Sequence, residues 1–370
     1  MDKIKKLALY VHIPFCKQKC KYCDFTSFSN KEDRVAEYVE ALLKEIKFYS
    51  EKAKDYVVTS VYFGGGTPSF IDESYIKKIW YEIKENYNFS NDLEATIEVN
   101  PGTVNIEKLK VYRALGINRI SFGVQAMQDD ILKEIGRVHT VDDAVTGFYM
   151  AREAGFNNIS LDLMFGLPNQ GIKELSETLD KFIELSPEHI STYSLKVEEG
   201  TVFYKLQKEG KLNLPNDDLE REMYYLIKRR LKDVGYNHYE ISNFSKIGFE
   251  SRHNTAYWER QPYLGFGLSA SSCFEEVRFS NTEKLNKYIE DFEINIGEKE
   301  ILTKEDVESE RVILGLRMLK GIDKDIICRT EWKKAVKRLS SLGLVTEKDD
   351  KIMLTDKGLD VANQVFVEFI

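Results

Sequence analysis

The sequence predicts an α/β fold: a partial (β/α)6 barrel followed by a smaller α+β module of winged-helix type. Three observations carry this. Six β-rich apolar runs occupy the first 200 residues, an amphipathic helical pattern follows each of the first five, and a helix-plus-hairpin pattern begins near residue 300.

The runs are LALYVHI (7–13), VVTSVYF (57–63), LEATIEV (93–99), INRISFGV (117–124), NNISLDLMF (157–165) and HISTYSL (189–195). Between them lie YVEALLKEIKFY (38–49), SYIKKIWYEIKENY (74–87), NIEKLKVYRALG (105–116), AVTGFYMAREAG (144–155) and LSETLDKFIELS (175–186), with apolar residues near i, i+3, i+4 and i+7. Strict alternation of this kind favours parallel strands joined by helical crossovers. No single Gly-rich dinucleotide fingerprint is present, so a barrel or partial barrel is preferred over a doubly wound sheet. Gly116 and Gly155 stand where a left-handed cap would end one helix before the next strand. Beyond about 200 the alternation ends in a mixed stretch, rich in aromatics and glycine around RHNTAYWERQPYLGFGLSA (252–270). From about 300 three helices are expected, then two short strands flanking a charged turn in LGLVTEKDDKIMLTDKG (342–358). The expected units are 1–200, 201–295 and 296–370.

Composition narrows the class. A chain of 370 residues, 42% hydrophobic, can bury a large core. No run of about 18 apolar residues occurs, and the N-terminal apolar run is broken by His12 and Pro14 with no small-residue cleavage site after it, so a cytoplasmic protein is expected. The net charge of −8 argues against nucleic acid as a partner, and the C-terminal module is expected to pack or dock rather than to read DNA. Five cysteines in a reducing compartment do not read as disulfides. Cys273 and Cys328 stand alone and read as small hydrophobes.

Cys16, Cys20 and Cys23 fall within eight residues, in HIPFCKQKCKYCDF. A structural zinc ion needs a fourth ligand, most simply His12 or a distant cysteine, and zinc ribbons bring paired CxxC knuckles, whereas this CxxxCxxC stands alone. A [4Fe–4S] cubane suits three thiolates better, because it leaves one iron without a protein ligand. An open metal position is where a substrate or cofactor enters. The other informative residues also follow strands: GGGTP (64–68), EVNP (98–101), GVQ (123–125) and LDLMFGLP (161–168). Strand C-termini form the ligand face of barrels and open α/β sheets, so these segments should converge on one pocket.

CxxxCxxC with Tyr22 before its last cysteine, after a first strand and followed by a Gly-rich turn after the second, resembles the radical S-adenosylmethionine (SAM) superfamily. There the methionine part of SAM caps the open iron, and an electron from the cluster cleaves the sulfonium to a 5′-deoxyadenosyl radical. YVHIPFCKQKCKYCDF, GGGTPS, EVNPGT, ISFGVQ, GRVH and DLMFGLP together look like the family of oxygen-independent coproporphyrinogen III oxidase, over residues 7–275. The resemblance implies that Tyr10 contacts SAM, that Gly65, Gly66 and Thr67 meet its amino and carboxylate groups, and that Glu98, Gln125, Arg137 and Asp162 complete the pocket. An electron donor such as flavodoxin or ferredoxin is implied with it.

Two departures point within that family. Where the oxidase has a further cysteine two residues after the third, this chain reads Asp24 and Phe25, and only nine residues precede Tyr10. CDF together with HNTAYW (253–258) resembles the haem chaperone branch, HemW, which is thought to bind haem and pass it to an acceptor protein, such as a membrane-associated respiratory enzyme. His253 is then the candidate axial donor, Tyr257 and Trp258 the flat faces, and Arg252 or Arg260 a propionate partner. His12, His139, His189 and His238 read as ordinary histidines, His12 near enough to tune the cluster loop. Three functions compete: the haem chaperone, a radical enzyme acting on coproporphyrinogen III or another tetrapyrrole, and a zinc-stabilised binding barrel. A monomer and a homodimer are both compatible with the sequence.

Overall fold

The computed structural model describes residues 5–293 and 296–370. Six strands follow one another in the sheet and in the chain: β1 Lys5–Ile13, β2 Tyr56–Gly65, β3 Asn88–Val99, β4 Arg119–Gln125, β5 Ile159–Phe165 and β6 His189–Ser194. Each is parallel to the next, so the expected six-strand alternation forms. The sheet extends at both ends. On the far side of β6 come β8 Asn243–Ser245, antiparallel to it, and then β7 Asn237–Glu240, antiparallel to β8. On the far side of β1 come β9 Tyr263–Phe266, parallel to it, and then β10 Ser271–Phe274, β11 Val277–Asn281 and β12 Ile296–Ile301, antiparallel. The order is β12-β11-β10-β9-β1-β2-β3-β4-β5-β6-β8-β7, an open twelve-stranded sheet with no closed barrel among the described residues.

Period-two patterning explains how one sheet serves both core and site. In β2, Val61 and Phe63 join the core while Ser60 and Tyr62 alternate with them; in β3, Ala95 and Ile97 do so against Glu94, Thr96 and Glu98. The apolar set packs on helices Val35–Ser50, Glu73–Asn86, Ile106–Leu115, Val141–Glu153 and Ile172–Leu185, through residues such as Leu42, Trp80, Tyr112, Phe148 and Phe182. These helices stop as expected: Gly116 and Gly155 take φ of 100° and 90°.

The stretch after 200 holds more regular structure than its sequence suggested. Helix Asp217–Asp233 covers the sheet through Ile227 and Leu231. The new strands β7 to β10 are only three or four residues long, too short for a period to show in the sequence.

The C-terminal module has its own core of Val312, Leu316, Trp332, Val336, Leu339, Val365 and Phe369. Two α-helices, Lys304–Gly315 and Thr330–Ser341, precede the hairpin of β14 Val345–Lys348 and β15 Lys351–Leu354, where three were expected. A 3-10 turn, Lys324–Ile326, stands in place of the third, after a short strand β13 Ile322–Asp323 that pairs with β15. Asp349 and Asp350 turn the hairpin with φ of 49° and 58°, as a two-residue loop requires. Strand β12 belongs to the large sheet, although its residues were assigned to the third unit; residue 295 of the expected boundary lies outside the described residues. No described helix is long and apolar enough to cross a membrane.

Candidate cluster and cofactor site

The cysteine loop leaves β1 at Ile13 and is tied down by backbone before any metal is considered. Cys16 N donates to Phe28 O (2.9 Å), Phe28 N to Pro14 O (2.8 Å), and Thr67 N to Phe15 O (2.9 Å). Phe15 is buried edge-on against Tyr38, with ring centres 5.4 Å apart. Farther along, Lys21 N donates to Ile135 O and Phe203 N to Lys21 O, both at 3.0 Å. Tyr22 packs there against a small core containing Ile131, Leu132 and Phe203.

The three thiols share this loop and feel one another. Burial raises the Cys16 thiol and lifts that of Cys23 to about 11, and in both the neighbouring cysteines push in the same direction. Thr67 Oγ1 donates to Cys16 Sγ at 3.5 Å, and Arg137 Nη1 to Cys20 Sγ at 3.5 Å. Donors aimed at sulfur suit thiolates that carry a cluster's charge. Among the described residues no three His, Cys, Asp or Glu side chains form a site for a single metal ion. A cubane places its thiolates on separate irons, so it needs no such convergence.

Glycine makes room for this arrangement. A Cβ on Gly66 would lie 2.9 Å from Cys16 Sγ and 3.0 Å from Ile13 O, and one on Gly65 would lie 2.6 Å from the His12 ring. Gly66→Ala is expected to cost about 2 kcal/mol of stability by overpacking and to weaken iron retention. Thermal melting and iron content per chain, beside the wild type, check both.

The resemblance assigned the 65–67 turn to the amino and carboxylate groups of SAM, but its backbone donors are already used. Gly65 N donates to Glu98 Oε2 (3.2 Å), Gly66 N to Ile13 O (2.8 Å) and Thr67 N to Phe15 O (2.9 Å). A ligand carboxylate would therefore have to displace one of these bonds to reach a backbone donor of the turn.

Inward from the turn, Tyr62 OH donates to Glu98 Oε1 (2.9 Å) and Ser121 Oγ to Asp162 Oδ1 (3.2 Å). Desolvation raises both carboxyls, Glu98 to about 7, with Asp162 as its second cause, while Arg119 opposes both shifts. Gln125 ends β4 with φ of 74°, a left-handed conformation of the kind that strand ends store at binding sites. Arg137 also holds Asn100 Oδ1 and Gly123 O, and its Nε is buried without a partner. The sequence reading missed Glu94, Asn100 and the buried Arg119. Glu94 and Arg119 carried a signal, as polar residues at every second position of otherwise apolar strands, whereas Asn100 lies just past the end of β3.

Next to the cysteine loop lies a cavity of about 580 Å³, within the usual range for small-molecule sites. Tyr10, Tyr257, Trp258 and Tyr263 give it an aromatic wall, and Phe25 stands at its edge, 63% exposed. Arg260 and Arg278 line it as well. The alternative propionate partner, Arg252, does not; it bonds Asp92 at 2.8 Å.

His253 sits at the start of helix Arg252–Trp258 but does not line the cavity. It is 2% exposed; Nδ1 meets Ser60 Oγ at 3.0 Å and Nε2 meets Tyr257 OH at 2.9 Å. Both ring nitrogens are thus in use, and burial lowers its pKa to about 3. In this arrangement the ring pins its helix to β2, and an iron bond at Nε2 requires Tyr257 to let go. His12 lines the cavity and is similarly engaged, with Tyr10 OH at 3.0 Å and Thr26 O at 2.8 Å. Because a carbonyl only accepts, Nε2 carries the proton.

Comparison with known proteins fits this geometry. The Radical SAM superfamily model matches residues 10–182 and the HemN C-terminal domain model matches 302–361. "Heme chaperone HemW" of Bacillus subtilis is 39% identical, over 98% of this chain and 99% of its own length. The chain belongs to the HemW family. HemW of Lactococcus lactis is 35% identical over 99% of this chain and 98% of its own, and that of Escherichia coli 36% over 77% and 75%. The solved structure of coproporphyrinogen III oxidase (HemN) from Escherichia coli, a radical SAM enzyme, superposes with a TM-score of 0.86 over 99% of this chain and 90% of that one. At 24% identity it establishes a shared fold. The superfamily match takes in Tyr10, the three cysteines, the glycine turn and Asp162, and with it a [4Fe–4S] cluster and SAM are implied.

Proposed function

We propose that the chain is a haem chaperone of the HemW type, holding a [4Fe–4S] cluster on Cys16, Cys20 and Cys23, SAM beside it, and haem in the aromatic cavity, from which haem passes to an acceptor protein. The observation that carries this reading is that one cavity is walled both by the HNTAYW helix, through Tyr257 and Trp258, and by the segment flanking the cysteines, through Tyr10, His12 and Phe25. When bound, the cluster and SAM supply one-electron reductive chemistry at a sulfonium. The protein's part is positional. Arg137 and Thr67 donate to the cysteine sulfurs, Glu98 and Asp162, held by Tyr62 and Ser121, would supply carboxyls to SAM, and the aromatic wall would shield a flat apolar ligand from water.

Trp258 and Tyr257 supply the macrocycle faces, and Arg260 its carboxylate contact. Haem titration of the anaerobically prepared full chain is expected to give a new Soret band. Trp258→Ala is expected to weaken haem about tenfold, as loss of an aromatic anchor does, and Trp258→Phe to restore most of it. Arg317 lies over the Trp258 ring at 4.2 Å, so thermal melting of the alanine variant, read beside its titration, separates a lost ligand face from a lost packing partner. No Soret band in the wild type would sink the chaperone reading. Formation of protoporphyrinogen IX from coproporphyrinogen III would replace it with the oxidase, against which Phe25 stands where that enzyme has a further cysteine.

A further inference from the structure

At one edge of the aromatic cavity two guanidinium groups are held together by a single carboxylate from the other module. Glu310, on helix Lys304–Gly315, accepts from Arg260 Nε at 2.8 Å and from Arg278 Nη2. Arg260 also meets Glu276 at 2.5 Å, and Arg278 meets Glu300 at 3.3 Å. Glu310 and Leu314, one turn apart, are what this helix contributes to the cavity wall, whereas Glu276 and Glu300 do not line it. The Glu310 side chain is 17% exposed and that of Arg260 10%, so the pairing is largely withdrawn from water and weakly screened.

The charges do not balance around an added anion. Two arginines already carry three carboxylates, and further carboxylates would crowd like charge at the cavity edge unless one of the three left. Glu310 is the one that faces the ligand space, and its helix belongs to a module with a separate core. We propose that Glu310 occupies the place of a ligand carboxylate: Arg260 and Arg278 receive the carboxylates of a flat dicarboxylate macrocycle, and Glu310 is displaced when it binds. This rests on the haem reading above and adds to it a built-in competitor. By linkage, whatever favours the Glu310 contact lowers ligand affinity to the same degree that ligand loosens the contact. A carrier that must release its load gains from such a group.

The test compares protoporphyrin IX with its dimethyl ester on the full chain, by fluorescence titration at low and high salt. Glu310→Gln, which keeps the volume and one acceptor, is expected to bind the diacid about tenfold tighter than the wild type does, the scale of one close charge pair, and the ester equally. Arg278→Gln, at a side chain 42% exposed, is expected to cancel that gain in the double variant, with thermal melting confirming that each variant folds. If Glu310→Gln shifts diacid and ester alike, or neither, while Trp258→Ala still weakens both, the cavity binds porphyrin and Glu310 is no competitor. If no porphyrin binds the wild type or any variant, the haem reading fails and this inference fails with it.

Discussion

Serine at Cys16, Cys20 or Cys23 is expected to abolish cluster binding in each single variant while leaving the chain folded. The expectation comes from how the loop is built. Its course is set by backbone bonds to Pro14, Phe15, Phe28 and Ile135 and by the buried Phe15, none of which involves a sulfur atom. The sulfurs are therefore presented by a prearranged loop, and removing one leaves two donors for a cubane that needs three. A serine hydroxyl is smaller and harder than a thiolate and does not replace it on iron. At Cys16 the hydroxyl still finds Thr67, so the folding cost there is only about 1 kcal/mol. Iron and sulfide content after anaerobic reconstitution should fall to near zero in all three variants, with far-ultraviolet circular dichroism unchanged. Full iron and sulfide in any one of them would mean that another side chain completes the site. Zinc uptake in place of a cluster by the wild type would remove the basis for SAM binding.

The parallel half of the fold was legible because each of the strands β1 to β6 is six residues or longer and each helix is amphipathic, so both periods had room to appear. Glycine caps added the boundaries at Gly116 and Gly155. What was not legible is what depends on pairing between distant segments. Strand β9 lies beside β1 although some 250 residues separate Tyr10 from its partner Gly265, and four residues carry too little pattern to announce that. The polar lining had a readable signal, as Arg119, Ser121, Ser160 and Asp162 each interrupt an apolar run at period two.

The haem motif shows the limit from another side. HNTAYW reads as ligand plus aromatic faces, and the structure divides it: Tyr257 and Trp258 reach the cavity, while His253 turns inward to Ser60. Spacing along a helix says which residues share a face; it does not say what the other side of that face meets. Glu310 was invisible for a related reason, since its two partners lie on segments 50 and 32 residues away in sequence.

A buried carboxylate away from the aromatic cavity leads to the second large effect. Glu45, in helix Val35–Ser50, is fully buried; Oε1 accepts from Asn281 Nδ2 (2.6 Å), and Oε2 accepts from Gly267 N (2.8 Å) and Tyr288 OH (2.5 Å). Two turns earlier, Tyr38 OH donates to His12 O (2.6 Å) and accepts from Leu268 N (3.1 Å). Together they fasten the turn after β9 to the end of β1, where the cysteine loop begins. Glu45→Leu leaves the Gly267 amide and the Tyr288 hydroxyl without their acceptor inside the core. The expected loss is about 3–5 kcal/mol, or a melting temperature lower by about 5–10 °C. Burial lifts the Glu45 carboxyl to about 7, above its ordinary 4.5. The folded chain therefore keeps this proton between pH 4.5 and 7 while the unfolded chain has released it, so the group's contribution to stability falls as pH rises through that window and is level above it. The span corresponds to about 3 kcal/mol. Glu98 titrates in the same window, so the wild-type slope alone does not isolate Glu45. The difference between wild type and Glu45→Gln does: denaturant unfolding at pH 4.5 and pH 7 should show the wild type losing about 3 kcal/mol more than the glutamine variant. Equal losses in the two proteins would mean that Glu45 is already ionised at the lower pH and that its three donors fully offset its burial.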